Sequence, residues 1–339
     1  MARVLLTGGA GYIGTHVACV LAAGGRRSAS LDNYCNSSPR SLARVERIAP
    51  GMVQAFEADI RDGKRLREVL REGDFDSVIH LAGLKAVGES VEQPGRYREN
   101  NVGGTAVLLD ALGGSGVRKL VFSSSATVYG APDKLPVDES AAIAPSSPYA
   151  ENKLEIERIL AALAARDPSW RIAILRYFNP VGAHESGLIG EDPRGTPNNL
   201  MPYLSQVAIG KLPELRIFGD DYPTRDGTGV RDYIHVMDLA EGHVAALNAL
   251  DHAPPGTVLT ANLGTGHGYS VLELVQTFER VNGVKVPRRI VGRRPGDVAT
   301  YYADASLARK ALGWEARRGL DEMCRDAWRW QSLNPNGFE

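Results

Sequence analysis

Tyr149 and Lys153 stand four residues apart in the stretch Tyr149-Ala-Glu-Asn-Lys153. Ser146-Ser147-Pro148, just before them, reads as a helix entry with the proline in the first turn. On a helix this spacing puts both side chains on one face, side by side. A free tyrosine has a pKa near 10, so only about one in a thousand is ionised at neutral pH. A neighbouring ammonium favours the phenolate, and each unit of lowering is worth about 1.4 kcal/mol. A tyrosine tuned in this way is a general base toward an alcohol or sugar hydroxyl. The same spacing also arises by chance, so the surrounding elements decide what the pair means.

A second stretch suits phosphate. Gly8-Gly-Ala-Gly11-Tyr12-Ile13-Gly14 follows the apolar run Arg3 to Thr7 and precedes a helix-like segment to about Ala23. Strand, glycine turn and helix in that order form a dinucleotide site: the glycines allow the tight turn and the close approach of a pyrophosphate, and the helix N-terminus offers free N–H groups. Asp32 ends the next strand, where an acid accepts both ribose hydroxyls and repels a 2′-phosphate, which selects NAD over NADP. Asp59-Ile60 ends a third strand, and Asp59 either bonds the adenine amino group or caps the helix after Arg61. Ser123-Ser124-Ser125 closes a fifth strand. A hydroxyl there points into the crevice that Tyr149 faces. No Gly-x-Ser-x-Gly elbow surrounds the serines, which argues against a hydrolase triad.

Strands are expected at Arg3–Thr7, up to Asp32, at Met52–Glu57, Ser77–Leu81, Lys119–Ser123 and Trp170–Tyr177. With helices between them they make an α/β fold, a doubly wound parallel sheet of Rossmann type. The fourth strand runs into the small-residue turn Ala82-Gly83-Leu-Lys85, and its His80 reads as a satisfied core histidine. Asn100-Asn101 reads as the cap of a helix over Val102–Leu112. The polar start of the second strand, Ser28-Ala-Ser30, has no explanation in the sequence. Tyr177-Phe178-Asn179 leaves the sheet, and residues 183–230 form a loop-rich layer of the kind that carries specificity. Val230–Val236 is expected as a strand, with Asp238 capping a helix to Leu250. Ser270-Val-Leu-Glu273 is a capping-box pattern opening a helix to about Val281. A last helix runs from Leu320 to about Trp330. The expected division is residues 1–180 for the dinucleotide and 181–339 for a smaller mixed α/β substrate domain.

The 339 residues carry a net charge of −1, which favours neither nucleic acid nor a membrane surface as partner. No apolar run approaches the ~18 residues of a membrane span. Met1-Ala-Arg-Val-Leu enters a strand without a signal-peptide core. The three cysteines have no metal-ligand spacing, so no metal is expected and reduced thiols point to a cytoplasmic enzyme. Arg288, Arg289, Arg293 and Arg294 cluster, and guanidinium groups suit a substrate diphosphate.

Longer segments carry a resemblance. The glycine turn, Ser123-Ser-Ser-Ala-Thr-Val-Tyr-Gly130 and Tyr149-x-x-x-Lys153 resemble the extended short-chain dehydrogenase/reductase superfamily, and more narrowly its UDP-glucose 4-epimerase (UDP-galactose 4-epimerase) family. The likeness continues through Ala82–Ser90, Arg176–Ala183, Pro197–Pro202 and Asp226–Leu239, and so covers essentially the whole chain. It implies tightly held NAD and reversible C4 epimerisation of UDP-glucose and UDP-galactose through a 4-keto sugar, in an enzyme of galactose metabolism. It implies Tyr149, Lys153 and Ser125 as catalytic residues. It implies dinucleotide contacts from Gly8, Gly11, Tyr12, Ile13 and Gly14 at the turn, and from Asp32, Asn33, Asn36, Ser37, Asp59 and Ile60 around the adenosine. Further contacts fall at Leu81, Ala82, Gly83, Lys85, Asn100, Ser123, Tyr177 and Phe178. For the substrate it implies that Arg231 and Arg294 hold the diphosphate, that Asp297 contacts the ribose, and that Asn199, Leu200 and Phe218 line the nucleotide pocket. Lys85, Phe178, Asn179, Tyr233 and Tyr301 complete that side. A bulky residue at 301 implies exclusion of N-acetylated sugars. A piece near 230–250 is implied to return to the first domain, and helices from about Asn101 and Pro148 to pair across a two-fold axis in a homodimer.

Two rivals compete. A nucleotide-sugar 4,6-dehydratase in the resembling group carries an Asp-Glu pair just after the serine, where this chain has Ala126 and Thr127. A non-catalytic NAD-binding regulator has no need of Ser125, Tyr149 and Lys153 together. Ala-Glu-Asn between Tyr149 and Lys153 departs from the family's common Gly-Lys-Ser, off the face the pair shares.

Overall fold

The computed structural model describes residues 3–294 and 296–339. Seven parallel strands make the main sheet: β1 (Arg3–Thr7), β2 (Ser28–Asp32), β3 (Val53–Glu57), β4 (Phe75–His80), β5 (Lys119–Ser123), β6 (Arg171–Tyr177) and β7 (Val258–Leu263). Their order is 7-6-5-4-1-2-3. The order reverses at β1, which pairs with both β2 and β4, and ligands of such sheets sit outside the carboxyl ends at that reversal. Helices Tyr12–Ala23 and Val236–His252 cover one face through Val17, Leu21, Leu239, Ala246 and Leu247. Helices Gly63–Glu72, Gly104–Gly113 and Pro148–Arg166 cover the other through Leu66, Leu108, Ile156 and Leu160. Strands buried on both faces read as the continuous apolar runs seen in β1, β5 and β6.

Of the two serines at the polar start of β2, Ser30 has a packing reason. A Cβ on Gly9 would lie 2.5 Å from the Ser30 hydroxyl oxygen, so only a small residue at 30 lets the glycine turn seat against the strand. His80 is the core histidine expected. Thr105 donates to the Asn101 carbonyl and so accepts from Nε2 of His80, which leaves Nδ1 to accept from Thr7 at 2.7 Å. Burial holds this imidazole neutral, its pKa pushed down to about 3.

Several elements differ from expectation. β7, which pairs with β6 with Ala261 opposite Leu175, is absent from the sequence-based list of strands. The expected strand over Val230–Val236 is broken in two. Val230–Arg231 pairs with Tyr269–Ser270 and Thr300–Tyr301, whereas Tyr233–His235 pairs with Asn179–Val181. Asp232 at the break accepts from the backbone N–H groups of Thr265, Gly266 and Ala303, which ties two loops to the break through one carboxylate. Asp238 does not cap the following helix: that helix starts at Val236 with His235 as its cap, and the Asp238 carboxylate pairs with Arg318. Asn101 is no cap either. The chain is helical from Pro94 through a π-turn at Glu99–Gly103 into Gly104–Gly113. The Asn101 side chain instead accepts from Leu84 N–H at 2.8 Å and donates to Leu84 C=O at 3.0 Å, which pins the turn after β4. The capping box at Ser270 and Glu273 forms as expected. No helix among the described residues is long and apolar enough to cross a membrane.

Candidate active site

A cleft of about 1810 Å³ opens along the carboxyl edge of the sheet. One drug-sized ligand takes roughly 300–1,000 Å³, so this cleft has room for two molecules. Gly8, Gly11, Tyr12, Ile13 and Gly14 form its floor at β1. Gly8 has φ +71°, and a Cβ there would stand 2.7 Å from the Ala82 nitrogen; a Cβ on Gly14 would stand 2.4 Å from the Gly8 oxygen. Gly11 caps helix Tyr12–Ala23 without a side-chain bond, so the first N–H groups of that helix face the cleft unengaged by any cap. Asp32, at the end of β2, accepts from Ala10 and Tyr34 N–H groups and from the Ser37 hydroxyl. Asn33, Asn36, Ser37, Ile60, Leu81, Ala82, Gly83, Lys85 and Asn100 line the same end. A bare helix N-terminus, a carboxylate at the end of β2 and an apolar slot from Leu31, Ala58 and Ile60 fit a dinucleotide. Asp59 does not line the cleft. Its carboxylate is taken by Arg61 and Asn33, its pKa held well below the usual range, and Asp62 caps the helix that Asp59 was expected to cap.

Helix Pro148–Arg166 begins on a Ser147 cap and presents Tyr149, Lys153 and Glu157 on one buried face. Lys153 Nζ donates to the Ser123 carbonyl at 2.7 Å and lies 5.8 Å from the Tyr149 ring centre. Burial pushes the Lys153 pKa down to about 8. The Tyr149 pKa is raised, first by burial and then by Tyr177, with a hydrogen bond to Ser125 acting the other way. The lowering expected from Lys153 does not appear in the protein by itself: burial keeps the phenol above its ordinary value, and the Lys153 ammonium is bonded to a carbonyl. Stripped of dinucleotide, the protein is expected to show no Tyr149 phenolate absorbance below pH 10. Ultraviolet difference spectra of the unmodified chain against Tyr149→Phe measure this, and a step near pH 7 would show that Lys153 suffices alone.

Ser125 accepts from Thr127 N–H at 3.2 Å and Thr127 Oγ1 at 3.0 Å, so its own proton is free for the cleft. Sequence reasoning gave Thr127 no part in the site. Ser123 donates to His243 Nε2 at 3.0 Å, since Nδ1 of that ring must donate to the Leu239 carbonyl. Tyr177 and Phe178 line the cleft next to these serines, with Asn179 following.

At the other end Arg231, Arg294, Asp297, Asn199 and Tyr301 line the cleft. Asp297 sits between the two guanidinium groups, 2.9 Å from Arg294 and 3.6 Å from Arg231. Of the four clustered arginines only Arg294 lines it; Arg288, Arg289 and Arg293 pair with Glu279, Glu214 and Asp221. Leu200, Phe218 and Tyr233 are not in its lining. Phe218 is an exposed ring 5.7 Å from the Arg294 guanidinium, Leu200 opens helix Leu200–Ala208, and Tyr233 is buried in the core behind. Tyr301 is buried, stacks 5.1 Å from Phe178 and donates to the Ala126 carbonyl at 2.5 Å. Glu191, also missed in the sequence, accepts from Lys85 and Asn199 and so joins the two ends.

A reversed-order parallel sheet with a glycine turn and a Ser–Tyr–Lys cluster defines a NAD-binding short-chain dehydrogenase/reductase of the extended type. A family model described as GDP-mannose 4,6 dehydratase matches residues 5–327. The UDP-glucose 4-epimerase of Bacillus subtilis is 54% identical over 336 residues, 99% of this chain and 98% of its own. The UDP-glucose 4-epimerase of Stenotrophomonas maltophila, solved with NAD and formylated UDP-arabinopyranose, superposes with a TM-score of 0.96 at 52% identity over 99% of both chains. That of Bifidobacterium longum, with NAD+ and UDP, gives 0.94 at 52% identity over 99% of this chain and 100% of its own. Within the superfamily, the chain belongs to the UDP-glucose 4-epimerase family.

Proposed function

We infer that this chain is an NAD-dependent UDP-glucose 4-epimerase that interconverts UDP-glucose and UDP-galactose. The observation that carries the reading is one cleft with Ser125 and Tyr149 midway between a dinucleotide floor and a second end bearing Arg231, Arg294 and Asp297. NAD, when bound along the glycine turn and Asp32, would supply the acceptor and then the donor of the C4 hydride, and a positive charge in the cleft. Tyr149 takes the proton from the sugar 4-hydroxyl, and Ser125 shares that oxygen. Lys153, held by the Ser123 carbonyl, keeps positive charge under the phenol. Arg231 and Arg294 grip the diphosphate while the 4-keto sugar turns to offer the other face of C4 to the returning hydride, and the proton returns from Tyr149 to the same oxygen. Anchoring at the nucleotide and freedom at the hexose are what such a turn requires. Asn199 and Asp297 hold the nucleoside, with Leu200, Phe218 and Tyr233 behind or beside them, and Asp59 acts through Asn33 at the adenosine end.

A 4,6-dehydratase would need an acid–base pair after Ser125, and Ala126 and Thr127 cannot supply one. Proton NMR of purified protein with UDP-galactose and no added NAD tests the reading. UDP-glucose should appear until equilibrium; a 4-keto-6-deoxy product, or no turnover with NAD added, would overturn it.

Tyr301 closes the hexose end against Phe178, so N-acetylated UDP-sugars are poor substrates. Tyr301→Ser should raise turnover of UDP-N-acetylglucosamine on the order of tenfold or more, the change expected for removing a steric block. An unchanged rate would place the restriction elsewhere.

The same reading treats residues 1–180 as the dinucleotide unit and 181–339 as the UDP-sugar unit, with helix Val236–His252 returned to the first. It takes the enzyme as a cytoplasmic homodimer of galactose metabolism. Three unpaired thiols support a reducing compartment. Helix Pro148–Arg166 lies beside the helical run from Pro94, and Ala106, Ala161, Ala162 and Ala165 face outward there. Light scattering should give twice 36.5 kDa, and a monomer mass would remove the dimer.

A further inference from the structure

A strap, residues 190–199, lines the cleft through all but Pro197. Near one end of this strap, Glu191 accepts from Lys85 at 2.8 Å and from Asn199 at 2.9 Å. In its middle, Arg194 reaches the loop that follows β2. Its guanidinium donates to the carbonyls of Tyr34 at 2.9 Å, Cys35 at 3.1 Å and Ser37 at 2.8 Å. No carboxylate pairs with Arg194 among the described residues, so its fork is spent on these three carbonyls. Asp192 is held separately, its carboxylate accepting from Phe338 N–H at 3.0 Å, and the Phe338 ring packs on Trp330.

The loop under Arg194 needs outside support. Tyr34 has φ +55°, alone in positive φ among the described non-glycine residues, a conformation a bulky side chain adopts at a cost. Asp32 holds the loop from within through Tyr34 N–H and the Ser37 hydroxyl. Arg194 holds it from without. In a trans peptide the N–H points opposite the C=O. Carbonyls of Cys35 and Ser37 turned toward Arg194 therefore turn the Asn36 and Ser38 N–H groups away from it, and both residues line the cleft.

We propose that Arg194 is a positioning residue for the dinucleotide: it fixes the residue 33–38 loop in its binding shape, and NAD leaves only when the strap releases that loop. This rests on the NAD reading above. Arg194 is separate in sequence from every motif that announces a dinucleotide site, and it acts on backbone, so its identity matters through the planar five-donor fork.

The test is exchange of bound NAD. Purified holoenzyme is mixed with excess isotopically labelled NAD, and the protein-bound label is followed by mass spectrometry after rapid gel filtration. In Arg194→Ala, exchange should be faster by on the order of tenfold or more, the effect of losing charge-assisted hydrogen bonds. Arg194→Lys keeps the charge and stem but not the fork, and should fall between the two; it also serves if the alanine variant does not fold. Exchange within twofold of the unmodified enzyme in both variants would overturn the proposal, even if melting temperature fell, because a merely structural arginine lowers stability without opening the dinucleotide's exit. Unmodified protein that neither carries nor takes up NAD would instead remove the reading on which the proposal rests.

Discussion

Replacing Tyr149 with phenylalanine is expected to lower turnover by about 10³-fold, within the range for removing a general acid–base, and to leave NAD bound. The ring sits among Leu84 and Tyr97 in a small apolar cluster, and phenylalanine keeps those contacts. Its backbone N–H bonds to the Ser90 hydroxyl at 3.2 Å, which the substitution does not touch. Only the phenolic oxygen goes, and with it the group proposed to accept the 4-hydroxyl proton. The epimerisation rate by NMR and the NAD content of the same sample settle the point together. Loss of cofactor along with activity would show that the hydroxyl builds the site instead of working in it. Ser125→Ala should cost less, since Tyr149 still reaches the substrate oxygen.

Glu157→Ala should destabilise the protein by about 3–5 kcal/mol, the cost of leaving one member of a buried ion pair unpaired. Glu157 lies one helical turn beyond Lys153, and its carboxylate accepts from Arg176 Nε at 3.0 Å, from the other Arg176 nitrogen at 2.6 Å, and from the Ser124 hydroxyl at 2.5 Å. Burial works against the Arg176 charge; Glu157 more than offsets it and leaves its pKa raised. The guanidinium also lies 4.9 Å from the Tyr129 ring centre, and Tyr129 donates to Asn262 on β7. Alanine at 157 strands a buried cation beneath the Ser123–Ser125 loop. Urea unfolding measures the loss. A change below about 1 kcal/mol would mean that water or another acid reaches Arg176. The double change Glu157→Leu with Arg176→Met should recover much of the stability, since well-packed apolar replacements of buried pairs are often neutral or better.

Legibility from sequence followed the physics of each element. β1, β5 and the glycine turn were readable because a short apolar run and a backbone that excludes Cβ leave local traces. Tyr149 and Lys153 were readable because i and i+4 meet on any helix. The environment around them was not. Tyr149 is buried against Leu84 and Tyr97, and Tyr177 raises its pKa further, all brought in from separate segments. Asn101 was misread because a π-turn continues a helix through a pair of asparagines that, as local sequence, look like a start. Val230–Val236 reads as one strand because it is rich in β-branched and aromatic residues, but Asp232 turns inward to three loop N–H groups and splits it. β7 was legible in principle: Val258–Leu263 is a short apolar run bounded by Pro254-Pro255-Gly256 and Gly264. Glu191 and Thr127 left no trace, since a carboxylate and a hydroxyl in a loop acquire their partners only through the fold.

The seventh strand also sets an order of assembly. β6 is complete at residue 177, but its neighbour does not exist until residue 263 has been made. Through the intervening synthesis the nascent chain carries an unpaired parallel edge. It also carries an uncovered apolar face at Val17, Leu21 and Ala173, which Leu239, Leu247 and Leu263 later close. An open edge and a bare apolar face are what recruits other chains. Production of this enzyme is therefore most exposed to aggregation in the ribosome's passage from residue 177 to 263. A chain arrested in that window is expected to be poorly soluble, although it already contains the glycine turn, Ser125, Tyr149 and Lys153.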